Sequence, residues 1–161
     1  MMAPLLRLIV RFETPMRMFV GAFFLVAATL KVTQTTTTQH GFEVGVAAFA
    51  SAIERGGVVP SQFALLVAIG VLSIEVIVGI GLLSHRKIKQ WSAFTIVFLF
   101  LLTSYLILLQ IRGKTQACGC LGQWDSSIPL SIARNALLSL ACLPALLKPQ
   151  VPESPVICIS D

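Results

Sequence analysis

Four long apolar stretches, separated by short polar segments, dominate the chain. Each is close to the roughly 20 residues that a helix needs to cross the hydrocarbon core of a bilayer. They occupy about residues 16–32, 63–83, 91–111 and 128–147. A lipid environment forces such segments to satisfy their own backbone hydrogen bonds, so each is expected as a helix. Pro15 precedes the first stretch, Gly113 follows the third and Pro129 opens the fourth, matching the chemistry of helix ends. Between the first two stretches, Phe42, Val46, Phe49 and Ile53 recur at helical spacing, flanked by Glu43 and Glu54 and closed by Gly56-Gly57. This predicts an amphipathic helix over about residues 42–55, lying at the outer membrane interface. The run from Thr33 to Gln39 before it is expected to be a polar connector, and the Pro-rich tail 148–161 to be irregular. The predicted fold is all-α: an integral membrane four-helix bundle with one short interfacial helix, forming one membrane domain over residues 1–161. No internal repeat is visible.

Composition agrees. Apolar residues make up 56% of the 161 and charged residues 12%, about half the share of a soluble domain. Mean hydropathy is +0.88. The net charge of +5 does not point to nucleic acid, because the basic residues form no patch with interleaved aromatics. They sit at the ends of apolar segments. Arg7, Arg11, Arg17, Arg86, Lys87, Lys89 and Lys148 fall on one side, and Lys31, Arg55, Arg112, Lys114 and Arg134 on the other or within a span. By the positive-inside rule both termini are cytoplasmic and the loop between the third and fourth spans is outside. Arg7, Arg11 and Arg17 before an apolar run also resemble a signal peptide, but no clean small-x-small cleavage site follows, so the first span is expected to be retained.

That outer loop carries the most informative chemistry, Cys118-Gly119-Cys120. A disulfide between thiols one residue apart closes a very small ring, and such bonds tend to be strained and oxidising. Gly119 relieves backbone restriction. Arg112 and Lys114 nearby favour the reactive thiolate. The competing readings are a structural or incidental cysteine pair and a copper or zinc site. The metal reading lacks a His or further Cys at ligand spacing. In a bacterium the outer side is an oxidising space in which disulfides persist.

Glu75 lies in the middle of the second span, where a charge is costly and is partnered or functional. Arg134 and Asn135 sit within the fourth span, and Lys31 ends the first. A bond from Glu75 to Arg134 is expected, although their depths differ by roughly 9 Å at 1.5 Å per residue. Its role is either to fix helix packing or to relay a proton or line a quinone pocket. His40 and His85 read as isolated loop residues, Cys142 as an apolar filler, and Trp91 and Trp124 as interfacial anchors. Gly79 and Gly81 are expected to let helices approach closely.

Lys31, Pro60, Glu75 with Gly79, Arg112-Gly113, Cys118-Gly-Cys120-Leu-Gly122 and Arg134-Asn135 together resemble the methylamine utilisation protein MauE family, kin to the DoxX-like membrane proteins. The resemblance runs from about residue 16 to 147. One departure is Leu121, where the family element usually has Phe; the thiols are untouched. The resemblance implies a four-helix membrane protein that handles disulfides, helping a disulfide-rich dehydrogenase subunit mature alongside a thioredoxin-like partner. On this reading Cys118 and Cys120 are the catalytic pair, supported by Glu75, Arg112, Arg134 and Asn135, with quinone or another protein as electron partner. Two alternatives remain: a non-catalytic assembly factor or anchor for an extracytoplasmic redox protein, and the small membrane subunit of a quinone-linked sulfur oxidoreductase.

Overall fold

The computed structural model describes residues 2–38, 41–84, 87–113 and 127–147. Five helices and one short hairpin follow in the order α1 (Met2–Thr33), β1 (Thr35–Thr38), β2 (Gly41–Val44), α2 (Val46–Gly56), α3 (Ser61–Leu83), α4 (Ile88–Ile111) and α5 (Ile128–Leu147). α1, α3, α4 and α5 each contain a stretch long and apolar enough to cross a membrane. The chain is thus a helical multi-pass membrane protein. Its outward-facing side chains agree: Phe19, Leu66, Phe100 and Leu137, one on each long helix, are exposed although apolar, as a lipid-facing surface requires.

Three local differences from the sequence expectation have plain causes. The first helix begins at Met2 and runs through Pro15 rather than starting after it. Pro15 removes a single backbone donor, and such a break is tolerated in membrane helices where neighbours re-satisfy the freed carbonyl. The threonine run is not a featureless connector. Thr35–Thr38 pairs antiparallel with Gly41–Val44, Thr35 opposite Val44 and Thr38 opposite Gly41, consistent with the preference of β-branched residues for extended backbone. The predicted amphipathic helix consequently starts later, at Val46, and Phe42 and Glu43 belong to β2. Gly45 makes the junction with φ +66°, and its N–H donates to the Gln34 carbonyl at 2.6 Å. A Cβ there would lie 2.9 Å from the Val32 carbonyl oxygen.

α1 packs chiefly on α3 and α4 on α5, and α1–α5 and α3–α4 contacts close the bundle. Val20, Phe24, Val78, Leu82, Phe98, Leu99, Leu138 and Cys142 form the central core, two residues from each long helix. The expected close approaches are present. A Cβ on Gly79 would meet Leu25 at 2.8 Å and the Gly21 carbonyl at 3.1 Å, and one on Gly81 would meet the Trp91 ring at 2.3 Å. Trp91 is therefore packed on α3 beside the core as well as lying near the start of α4.

The antiparallel register of α1 and α3 places Gly21 beside Gly79 and lets Arg17 Nη1 donate to the Ser84 carbonyl at 2.7 Å. α3 extends past the end of α1 in the other direction. There α2 covers it, with Phe49, Ala50 and Ile53 against Ala28, Ala64, Ala68 and Leu72. α2 and the hairpin lie at the same end of the bundle as the end of α4 and the start of α5. Leu106, Leu109 and Ile128 pack together there, with Val58 against them.

Candidate functional site

Cys118 and Cys120, with Leu121, Lys114 and Trp124, lie outside the described residues, as do His40, His85 and Cys158. The described neighbours of the cysteine segment are Gly113, which ends α4 with φ +69°, and Ser127, whose carbonyl accepts from the Ser131 N–H at 3.1 Å. Arg112, expected to act on the thiols, donates from Nη1 to the Gly57 carbonyl at 2.8 Å. It thus ties the end of α4 to the C-terminal cap of α2. Gly56 approaches the same place, where a Cβ would sit 2.8 Å from the Tyr105 hydroxyl oxygen.

Three charged side chains, Lys31, Glu75 and Arg134, lie near one another inside the bundle. Glu75, 3% exposed, is ion-paired and hydrogen-bonded to Lys31, 1% exposed. This corrects the expected partnership: Glu75 pairs with Lys31 of α1, not with Arg134 of α5. Helical side chains lean toward the N-terminus of their own helix. A lysine two residues from the end of α1 therefore reaches back into the bundle, to the depth of a glutamate in mid-α3. Lys31 Nζ also lies 5.2 Å from the centre of the Phe49 ring of α2, a cation–π contact. One lysine thus joins α1, α2 and α3.

Arg134 occupies the other side of this cluster. Its guanidinium carbon lies 5.8 Å from the centre of the Phe23 ring of α1. It is close enough to Glu75 and Lys31 for the three charges to act on one another. Buried Nε and Nη1 of Arg134 have no hydrogen-bond partner among the described residues, and neither does Oε2 of Glu75. Unsatisfied buried polar groups are rare and costly. Asn135, 2% exposed, faces α4 instead, and its Nδ2 donates to Thr103 Oγ1 at 3.2 Å. The Thr103 hydroxyl donates onward to the Leu99 carbonyl at 2.8 Å. Cys142 is a free, buried thiol in the central core, and burial there suits the filler role expected of it.

The structure places Glu75, Arg134 and Asn135 inside the bundle, and it gives Glu75 a different partner from the one expected. Sequence reasoning missed the parts of Phe23, Phe49 and Thr103. Lys31 carried a legible signal, a long cation just inside a span end with its Cβ tilted inward. Phe23 and Phe49 carried none, because an aromatic on an apolar helix face reads as core.

A multi-pass helical membrane protein with a buried charge cluster in the bundle and a Cys-Gly-Cys element between its last two spans is the class these observations define. The family model described as Methylamine utilisation protein MauE matches residues 5–148. The chain belongs to that family. Comparison with curated proteins and with solved structures gives no match.

Proposed function

We propose that the chain carries out thiol–disulfide exchange at the outer face of a bacterial cytoplasmic membrane, supporting disulfide formation or maturation of an extracytoplasmic redox protein of the methylamine-utilisation type. The observation that carries this reading is Cys118-Gly119-Cys120, set between the end of α4 and the start of α5 in a member of this family. One cysteine attacks a partner disulfide as the thiolate and forms a mixed disulfide. The other then resolves it, so that the partner leaves as a dithiol and Cys118–Cys120 becomes the disulfide; the reverse sequence oxidises a client. A thioredoxin-like protein or a disulfide-rich client fits the partner's role.

The charge distribution supports an outward-facing pair. Lys31 and Arg134 are side chains of the bundle interior, and Arg17 is buried against Ser84, so none of the three is a free loop charge. Without them, Arg7, Arg11, Arg86, Lys87, Lys89 and Lys148 stand against Arg55, Arg112 and Lys114. The six-to-three bias favours cytoplasmic termini.

Thiol trapping in intact cells tests the proposal. With a membrane-impermeant maleimide, Cys118 and Cys120 are expected to label only after reduction. Cys118→Ala or Cys120→Ala is expected to accumulate a mixed disulfide with a second protein. A pair that is inaccessible from outside, or that never changes state and whose loss is harmless, would replace this reading with a non-catalytic assembly factor or anchor.

A further inference from the structure

We infer that Arg134, Glu75 and Lys31 form a headgroup site, covered by Phe23 at the seam between α1 and α5, for a membrane-soluble ligand of the quinone/quinol type. The inference deepens the thiol–disulfide reading by naming an electron partner, and rests on that reading only for what the ligand does once bound.

Three observations carry it. The first is the set of unsatisfied atoms, namely the Nε and Nη1 donors of Arg134 and the Oε2 acceptor of Glu75. They belong to side chains that act on one another electrostatically inside the bundle. Gln34 Oε1, Ser92 Oγ and the Tyr105 hydroxyl also lack partners among the described residues, but they belong to uncharged side chains. Lys31 and Glu75 neutralise each other through the other carboxylate oxygen, and Arg134 adds a cation that no carboxylate among the described residues pairs with. An ionisable group held in a membrane span at such cost is a functional-site signal.

The second is access. Arg134 is half-buried, while its neighbours along the same helical stripe, Leu130 and Leu137, are 60% and 67% exposed. Across the seam, Phe23 lies between Phe19 and Val26, both exposed and at the same helical spacing. An apolar tail along these stripes would place its polar head at Arg134. The Phe23–Arg134 stack is the element it would have to displace.

The third is complementarity. A headgroup that satisfies the site must offer an acceptor oxygen to Arg134 and a hydroxyl donor to Glu75 Oε2. A fatty-acid carboxylate serves Arg134 alone and sets a second anion beside Glu75. A quinol offers both through its hydroxyls, and a quinone offers the acceptor oxygen to Arg134 without setting a second anion beside Glu75. The stoichiometry also agrees: a dithiol oxidised to its disulfide releases two electrons and two protons, which convert a quinone to a quinol.

Binding of a short-chain ubiquinone and its quinol to the purified full-length protein in lipid nanodiscs, followed by calorimetry, tests the inference. Saturable binding is expected, weakened at least tenfold in Arg134→Gln, about 1.4 kcal/mol. Because Glu75→Gln strands Lys31 and is at risk of unfolding, Lys31→Met/Glu75→Leu provides the second variant, which is expected to bind the quinol less well than the quinone. The double variant Cys118→Ser/Cys120→Ser is expected to bind as the wild type does, which separates this site from the fate of the thiol proposal. No saturable binding, binding indifferent to Arg134→Gln, or equal Arg134-dependent binding of oleate would each overturn the inference, the last by making the site a simple carboxylate receptor.

Discussion

The two halves of the bundle interior are built on opposite terms. Around Val20, Phe24, Val78, Leu82, Phe98, Leu99, Leu138 and Cys142, all four long helices meet in an apolar core, and glycines bring α1 against α3 and Trp91 against α3. Toward the end covered by α2, the helices α1, α3 and α5 bring in Lys31, Glu75 and Arg134. In lipid no hydrophobic force drives helices together, so the first region depends on close van der Waals fit. The second region spends stability, holding an ion pair and a guanidinium with two unsatisfied donors. The first region is built from apolar side chains in mutual contact. Apolar packing does not account for Arg134, whose buried donors find no partner among the described residues.

The sharpest way to break the comparison is to remove one side of the ion pair. Glu75→Ala leaves Lys31 charged and buried, and is expected to cost about 3–5 kcal/mol, read as unfolding at lower SDS fraction in mixed micelles. Lys31→Met/Glu75→Leu, which removes both charges, is expected to recover most of that loss. If the single and double variants are equally unstable, the pair is not what holds α1 to α3 in this region.

Overpacking probes the apolar half. Gly81→Ala drives a methyl group into the Trp91 ring and is expected to cost about 1–3 kcal/mol, with Trp91→Leu restoring stability in the double variant. Gly70, where a Cβ meets nothing within 4 Å, is the matched control: Gly70→Ala is expected to be neutral or stabilising by up to about 1 kcal/mol.

Arg134→Leu should move in the opposite direction. Removing a cation with two unsatisfied buried donors is expected to stabilise the bundle by about 1–3 kcal/mol in the same SDS titration. A loss of stability instead would show that the Phe23 stack outweighs the unsatisfied donors and would return Arg134 to a purely structural role. The smallest effect belongs to Asn135 and Thr103. Their coupling, measured by a double-mutant cycle of Asn135→Ala and Thr103→Val, is expected near 0.6 kcal/mol, the average for hydrogen bonds between membrane helices.

The hydrophobic pattern by itself determined the four spans, all placed to within a few residues except the start of the first, because twenty consecutive apolar residues have one low-energy form in lipid. It also singled out Glu75, Arg134 and Asn135 as polar residues within spans, since such groups stand out against their neighbours. Local pattern was less decisive where water is available. The Thr35–Thr38 strand and the late start of α2 turned on antiparallel pairing with Gly41–Val44, and pairing is a contact between segments. Only the tertiary structure decided partners. Lys31 rather than Arg134 meets Glu75 because α1 and α3 are antiparallel neighbours and the lysine leans back along its helix, whereas Arg134 on α5 is turned onto Phe23. Linear depth along two helices cannot supply that information. It depends on which helices adjoin, how far each is offset, and which way each side chain tilts.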